Sequence, residues 1–136
     1  MEIEQAIAFA SSNQNAVLHT FRRDGSPQLS PVTVGVDPES RIIVSSRETA
    51  VKTKNLARNP RAALCLLNDR FFGEWFFAEG QCEIVRLPEA MEILVDYYRQ
   101  LSGEHPDWDD YRAAMERDQR VILRITVDRA GPTVMG

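Results

Sequence analysis

A chain of 136 residues, 43% of them hydrophobic, is long enough to bury one core and short enough to hold only one, so a single domain over residues 1–136 is expected. Twenty acidic against sixteen basic residues leave a net charge of -4, which argues against a surface built to neutralise a nucleic-acid backbone. No run of about 18 apolar residues occurs, and the N-terminus MEIEQAIAFASSNQ lacks a basic start ahead of an unbroken apolar stretch; neither a membrane span nor a secretion signal is expected, and the protein is placed in the cytoplasm.

In chain order, Ile3, Ala6, Ile7 and Ala10 recur at helical spacing and predict a short packing helix that stops in the polar cluster Ser11, Ser12, Asn13. AVLHTF (16–21) and PQLSPVTVGV (27–36) flank Asp24-Gly25, a step that favours a tight hairpin. A second turn signal, Asp37 to Ser40, precedes RIIVSS (41–46), so these strands read as a three-stranded antiparallel meander. A basic segment carrying Lys52, Lys54, Arg58 and Arg61 then leads through Asn59-Pro60 into RAALCLLN (61–68). After the loop RFFGE comes WFFAEGQCEIVR (75–86), where Gly80 predicts a bulge or sharp bend. Pro88 opens a helix with Met91, Leu94, Val95, Tyr98 and Leu101 on one stripe and Gly103 at its end. A shorter helix follows near Pro106 with Trp108, Tyr111 and Met115 on one side, and VILRITV (121–127) alternates as a last strand. The sum is a mainly β fold with peripheral helices, a small six-stranded antiparallel barrel.

Four features bear on chemistry. If Thr49 caps a helix from about Ala50 to Arg58, the free N–H groups of its first turn point at Ser45 and Ser46 while Lys52 projects from the same turn; this is either an anion site or a solvated basic helix. Gln28 and Ser30 alternate with Leu29 on a strand expected beside 41–46, and they either read the edge of a heterocycle or form an outward polar face. Trp75, Phe76 and Phe77, with Phe71 and Phe72 before them, either wall a flat ligand or an interface, or simply pack the core. Cys65 and Cys82 fit no zinc or CxxC spacing and read as buried free thiols.

His19 and His105 have no partners at metal or triad spacing. Asp107, Asp109 and Asp110 lack the glycine and terminal glutamate of a calcium loop, and suit the positive end of the helix near Pro106 instead. No metal, no covalent nucleophile and no catalytic side chain is therefore expected. What is left is a binding protein, or an enzyme whose reactive chemistry sits in a cofactor.

Taken together, Ser45, Ser46, Lys52, Asn55, Leu56 and the run Asn59 to Leu64, preceded by DGSPQLSPV and followed by WFFAEG, resemble the pyridoxamine 5′-phosphate oxidase-like family. GEHPDWDDYRAAM (103–115) resembles the branch of that family that uses the deazaflavin coenzyme F-420, the flavin/deazaflavin oxidoreductases of the B group. The resemblance implies an FMN-binding type of split β-barrel and a homodimer with two cofactor sites at the subunit interface. It implies a reductase passing hydride from F-420 to a small conjugated substrate; the alternatives are an FMN-dependent oxidoreductase of the same fold and a non-catalytic protein that holds a flavin or tetrapyrrole. Carried onto this chain, Lys52 would grip the cofactor phosphate, Ser45 and Ser46 would line the phosphate–ribityl path, Gln28, Leu29 and Ser30 would meet the ring or its tail, and Trp75 would come from the second subunit. Val51 stands where the oxidases carry an Arg ahead of the clamp Lys, with Arg47 available to compensate, and the chain ends DRAGPTVMG in place of an Arg-Leu-x-Pro ending. Oxidation of pyridoxamine phosphate is for these reasons the poorer reading.

Overall fold

The computed structural model describes residues 2–132. The elements in order are α1 (Glu2–Ser12), β1 (Asn15–Phe21), β2 (Pro27–Thr33), β3 (Gly35–Val36), β4 (Ile42–Arg47), α2 (Val51–Arg58), β5 (Arg61–Leu67), β6 (Trp75–Val85), α3 (Ala90–Ser102), α4 (Trp108–Arg117) and β7 (Arg120–Gly131). All strands lie in one antiparallel sheet of order β2-β1-β5-β6-β7-β4-β3. The two end strands of that order are consecutive in the chain, separated only by Val34. The sheet must therefore curl until its ends meet there.

Two expectations are corrected by this arrangement. The run 27–36 is not one strand: up to Thr33 it pairs with β1, Val34 N–H still bonds Gln14 O at 2.8 Å, and from Gly35 the partner becomes β4. Switching partner at a fully buried valine converts the anticipated six strands into seven. Consequently β4 does not lie beside β2; its neighbours are β3 and β7, at the far end of the order from Gln28 and Ser30.

Strand alternation assigns the core. Leu18, Val44, Leu64, Leu66, Leu123 and Ile125 are all at most 2% exposed and enclose α1 through Ala6, Phe9 and Ala10. Ile43 and Ile122 face the other way and are buried by Leu94, Val95 and Tyr97 of α3 and Tyr111 of α4. Ile122 is thus an apolar residue on the outer face because helices cover that face. Tyr97, absent from the stripe read in the sequence, is buried on α3 together with Leu94 and Val95. Pro88 sits two residues ahead of α3, whereas Asp107 caps α4 as its charge suggested, accepting from Asp110 N–H at 3.1 Å. Gly80 does mark a bulge: the β6–β7 register shifts between Glu79 and Gly80. Among the described residues, no helix is long and apolar enough to cross a membrane.

Both cysteines are free; Cys82 is buried and Cys65 half-buried. Burial pushes the Cys82 thiol up to about 12 and raises Cys65 as well. Since only the thiolate alkylates, neither should react appreciably with iodoacetamide at pH 8 in the folded protein, while both should label once it is denatured. Mass spectrometry of the labelled protein checks this, and rapid native labelling of Cys82 would contradict its burial.

Candidate functional site

The sequence left open whether the basic segment holds an anion, and the four cations prove to have different fates. Arg61 forms a two-pronged pair with Asp128 at 2.5 and 2.7 Å, with Glu79 close by. Arg58 donates to Phe21 O at 3.2 Å and to Asn55 Oδ1 at 2.8 Å, tying α2 to β1. Lys54 is exposed. Lys52 alone turns into a cleft of about 900 Å³.

That cleft runs along β1 at Asn15, Ala16 and Val17, along β2 at Pro31, Val32 and Thr33, and reaches Val44 and Ser45 of β4. Its other wall is Tyr97, Tyr98 and Leu101 of α3 with Tyr111 and Met115 of α4, and Arg120 at the start of β7 completes the polar end. Behind the wall, Tyr98, His105, Trp108 and Tyr111 pack ring against ring at centroid distances of 5.0 to 5.7 Å, and Arg99 covers Trp108 at 4.9 Å. The segment 103–115 therefore builds a rigid aromatic backing for one side of the cleft.

Positive charge gathers at the polar end. The β4–β7 register sets Arg47 directly opposite Arg120, a like-charge pair that costs stability. Burial, then Arg120, then Arg47 hold the Lys52 ammonium below the ordinary lysine range. Among the described residues no carboxylate comes within 4.0 Å of Lys52, Arg47 or Arg120. Nearby phenols do not supply the missing negative charge. Tyr111 Oη donates to Leu94 O at 2.9 Å and is pushed up to about 12 by burial; Tyr97 Oη donates to Thr33 O at 2.7 Å and is likewise raised by burial. Arg120 makes one long bond to Ser45 Oγ at 3.5 Å, and its Nε is buried with no partner.

Of the residues singled out in the sequence, the single chain gathers Ser45 and Lys52 at the cleft. Ser46 is 2% exposed with its Oγ 2.8 Å from Thr53 Oγ1, so that hydroxyl fastens α2 to β4. Val51 is 54% exposed and lies outside the lining. Thr49 does not cap α2: the cap position is Ala50, and no side chain occupies the first-turn N–H groups. Gln28 accepts from Thr20 Oγ1 at 3.2 Å and donates to Ser30 Oγ at 3.0 Å, while Leu29 is 62% exposed; all three precede the part of β2 that lines the cleft. Trp75 belongs to a second, apolar cavity of about 860 Å³ with Phe71, Phe72, Phe76 and Cys65.

The sequence reading missed Arg120 and Tyr97. Arg120 looks like an unremarkable polar residue ahead of VILRITV, and only the register against β4 brings it beside Ser45 and Lys52. The departure at Val51 had suggested a single clamp cation helped by Arg47; the structure adds a second inward cation from a distant strand.

The family model described as pyridoxamine 5′-phosphate oxidase matches residues 3–133. Among solved structures, a conserved hypothetical protein, Rv2991 from Mycobacterium tuberculosis, is similar with a TM-score of 0.78 and 24% identity over 100% of this chain and 93% of that one. An F420 reductase gives a TM-score of 0.72 at 19% identity over 91% of this chain and 94% of its own. A heme binding protein from Mycobacterium smegmatis gives 0.67 at 19% identity, covering 96% of this chain and 52% of that one. At these identities the structural likeness is one of fold.

Proposed function

Because the chain belongs to the pyridoxamine 5′-phosphate oxidase family, we propose that it is an oxidoreductase that holds coenzyme F-420, with hydride passing to a small conjugated substrate. One observation carries the reading: a cleft whose polar end concentrates unpaired cations while its long walls are apolar and aromatic. A ligand matched to it has an anionic tail and a flat apolar body, which describes a phosphorylated flavin or deazaflavin.

The donors present fit such a group. Lys52 offers an ammonium, Ser45 a hydroxyl, and the uncapped first turn of α2 its free N–H groups, all suited to phosphate oxygens. Val17, Val32, Tyr98, Leu101 and Met115 supply apolar surface that excludes water from a ring lying between β1–β2 and α3–α4. When bound, the ring itself supplies the hydride chemistry. The chain's own part is placement, and placement can lower a barrier by about 7 to 11 kcal/mol. Tyr97 and Tyr111 spend their hydroxyl protons on Thr33 O and Leu94 O, so no proton-donor role is assigned to either.

F-420 is preferred to FMN on the resemblance of residues 103–115 to the deazaflavin-using branch, and the fold likeness to an F420 reductase agrees with it. We also propose a homodimer. Phe71 at 61% and Phe72 at 93% exposure, beside Trp75, leave an aromatic surface that a second copy would cover, consistent with Trp75 serving the partner's cofactor. Native mass spectrometry should show about twice the 15.4 kDa chain.

A fluorescence titration with F-420 and with FMN tests the cofactor, followed by turnover of the reduced cofactor against quinones, enones and tetrapyrroles. Saturable F-420 binding with turnover of an enone or quinone is expected. Tight FMN binding without F-420 binding would transfer the activity to an FMN-dependent oxidoreductase. The tied phenols favour a second reading, a non-catalytic flavin- or tetrapyrrole-binding protein, and tight binding without turnover of any panel member would establish it.

A further inference from the structure

We propose that Arg120 is the second phosphate ligand of the cleft, held in place by Ser45, and that it makes the site selective for a phosphorylated ligand over its phosphate-free counterpart. The proposal rests on the reading that the cleft takes a phosphorylated ring cofactor, and it assigns a residue which neither family pattern nor spacing singled out.

The geometry narrows the role of this guanidinium. Arg120 lines the cleft together with Lys52 and Ser45, and the only side-chain hydrogen bond it makes among the described residues is the 3.5 Å contact to Ser45 Oγ. Its Nε is buried and unpartnered, an unfavourable state for a charged donor unless a ligand answers it. Two carboxylates share a shallow neighbouring recess with it, Glu48 and Glu116, yet neither comes within 4.0 Å, and Glu48 is committed to Arg86 at 2.9 Å. Across the strand pair stands Arg47, which repels it. A structural arginine is normally answered by a carboxylate or a set of carbonyls. Arg120 has neither, and its fixed fork of donors matches phosphate oxygens in a way that an ammonium does not. With Lys52 approaching from α2, the two cations would bracket a phosphate ester or diester from two elements at once.

The test reads binding without turnover. Thermal unfolding is followed in inorganic phosphate or pyrophosphate against chloride at matched ionic strength, for the wild type, Arg120→Gln, Arg120→Lys and Lys52→Ala. The proposal expects phosphate to raise the wild-type Tm, Arg120→Gln to lose most of the rise, and Arg120→Lys to keep part of it. Titration should then show Arg120→Gln binding FMN or F-420 about tenfold or more weakly, with little change toward riboflavin. A phosphate effect that is absent from the wild type, or undiminished in Arg120→Gln, overturns the proposal. Equal losses for FMN and riboflavin overturn it too, since they would make Arg120 a support for the cleft wall. An Arg120-dependent phosphate effect in a protein that binds no flavin or deazaflavin would sink the cofactor reading and leave the anion site standing.

Discussion

Gly80→Ala should be the most damaging single-atom-scale change in the protein, lowering stability by about 3 kcal/mol or more or preventing folding. A Cβ built at Gly80 would overlap the carbonyl oxygen of Thr126 on β7 and lie 2.9 Å from Val127 Cα. Both obstacles are backbone, so no rotamer change relieves them. The clash falls at the register shift where β7 carries an extra residue, Asp128, and the sheet bends, and any retreat of β7 would disturb the pairing that also aligns Arg120 with β4. Urea unfolding measures the effect. Gly25→Ala is the comparison: Gly25 has φ 87° but open space around it, so that change should cost only about 1 kcal/mol. Equal losses at the two glycines would refute the steric account of the bend.

Lys52→Ala is expected to weaken cofactor binding by about 1.5–3 kcal/mol, roughly a 10- to 150-fold change in dissociation constant, without loss of the fold. Its ammonium is desolvated and repelled by Arg120 and Arg47 in the ligand-free protein, so removing it should leave apo stability unchanged or raised. Lys54→Ala, on the exposed side of α2, should change binding little. The same electrostatics fix a pH dependence. A lysine whose pKa is depressed gives up its proton at lower pH than a solvated one, so phosphate affinity should fall as pH rises through that depressed value. Bound phosphate should raise the Lys52 pKa again and draw in a proton on binding. Comparable losses in Lys52→Ala and Lys54→Ala would mean that α2 contributes diffuse charge and no specific ligand.

Local patterns carried much of the fold. The hairpin at Asp24-Gly25 and the bulge at Gly80 each rest on chemistry within a few residues, and each was legible from the sequence; the acidic run 107–110 was read only as suiting the positive end of a helix, and Asp107 proves to cap it. Pairing across distance was not. PQLSPVTVGV reads as one alternating run, and nothing local reveals that Val34 exchanges β1 for β4 as partner. The same limit explains the site. Ser45 and Lys52 are seven residues apart and were found together by a strand–helix argument, whereas Arg120 enters only through the β4–β7 register. Ser46, the neighbour of Ser45, shows the strictness of strand alternation: one hydroxyl faces the cleft and the next is buried against Thr53. Charge counting was equally blind to partners, for Arg58 and Arg61 belong to the same basic run as Lys52 yet serve the fold.

A crystal structure of the protein with bound F-420 or FMN tests the central claim most directly, through the position of the phosphorus atom. The account predicts phosphate oxygens within about 2.7–3.2 Å of Lys52 Nζ and of the Arg120 guanidinium, with the ring against the Tyr98 and Met115 wall. A ligand seated in the cleft with its phosphate in solvent, or seated instead in the aromatic cavity beside Trp75, would contradict it.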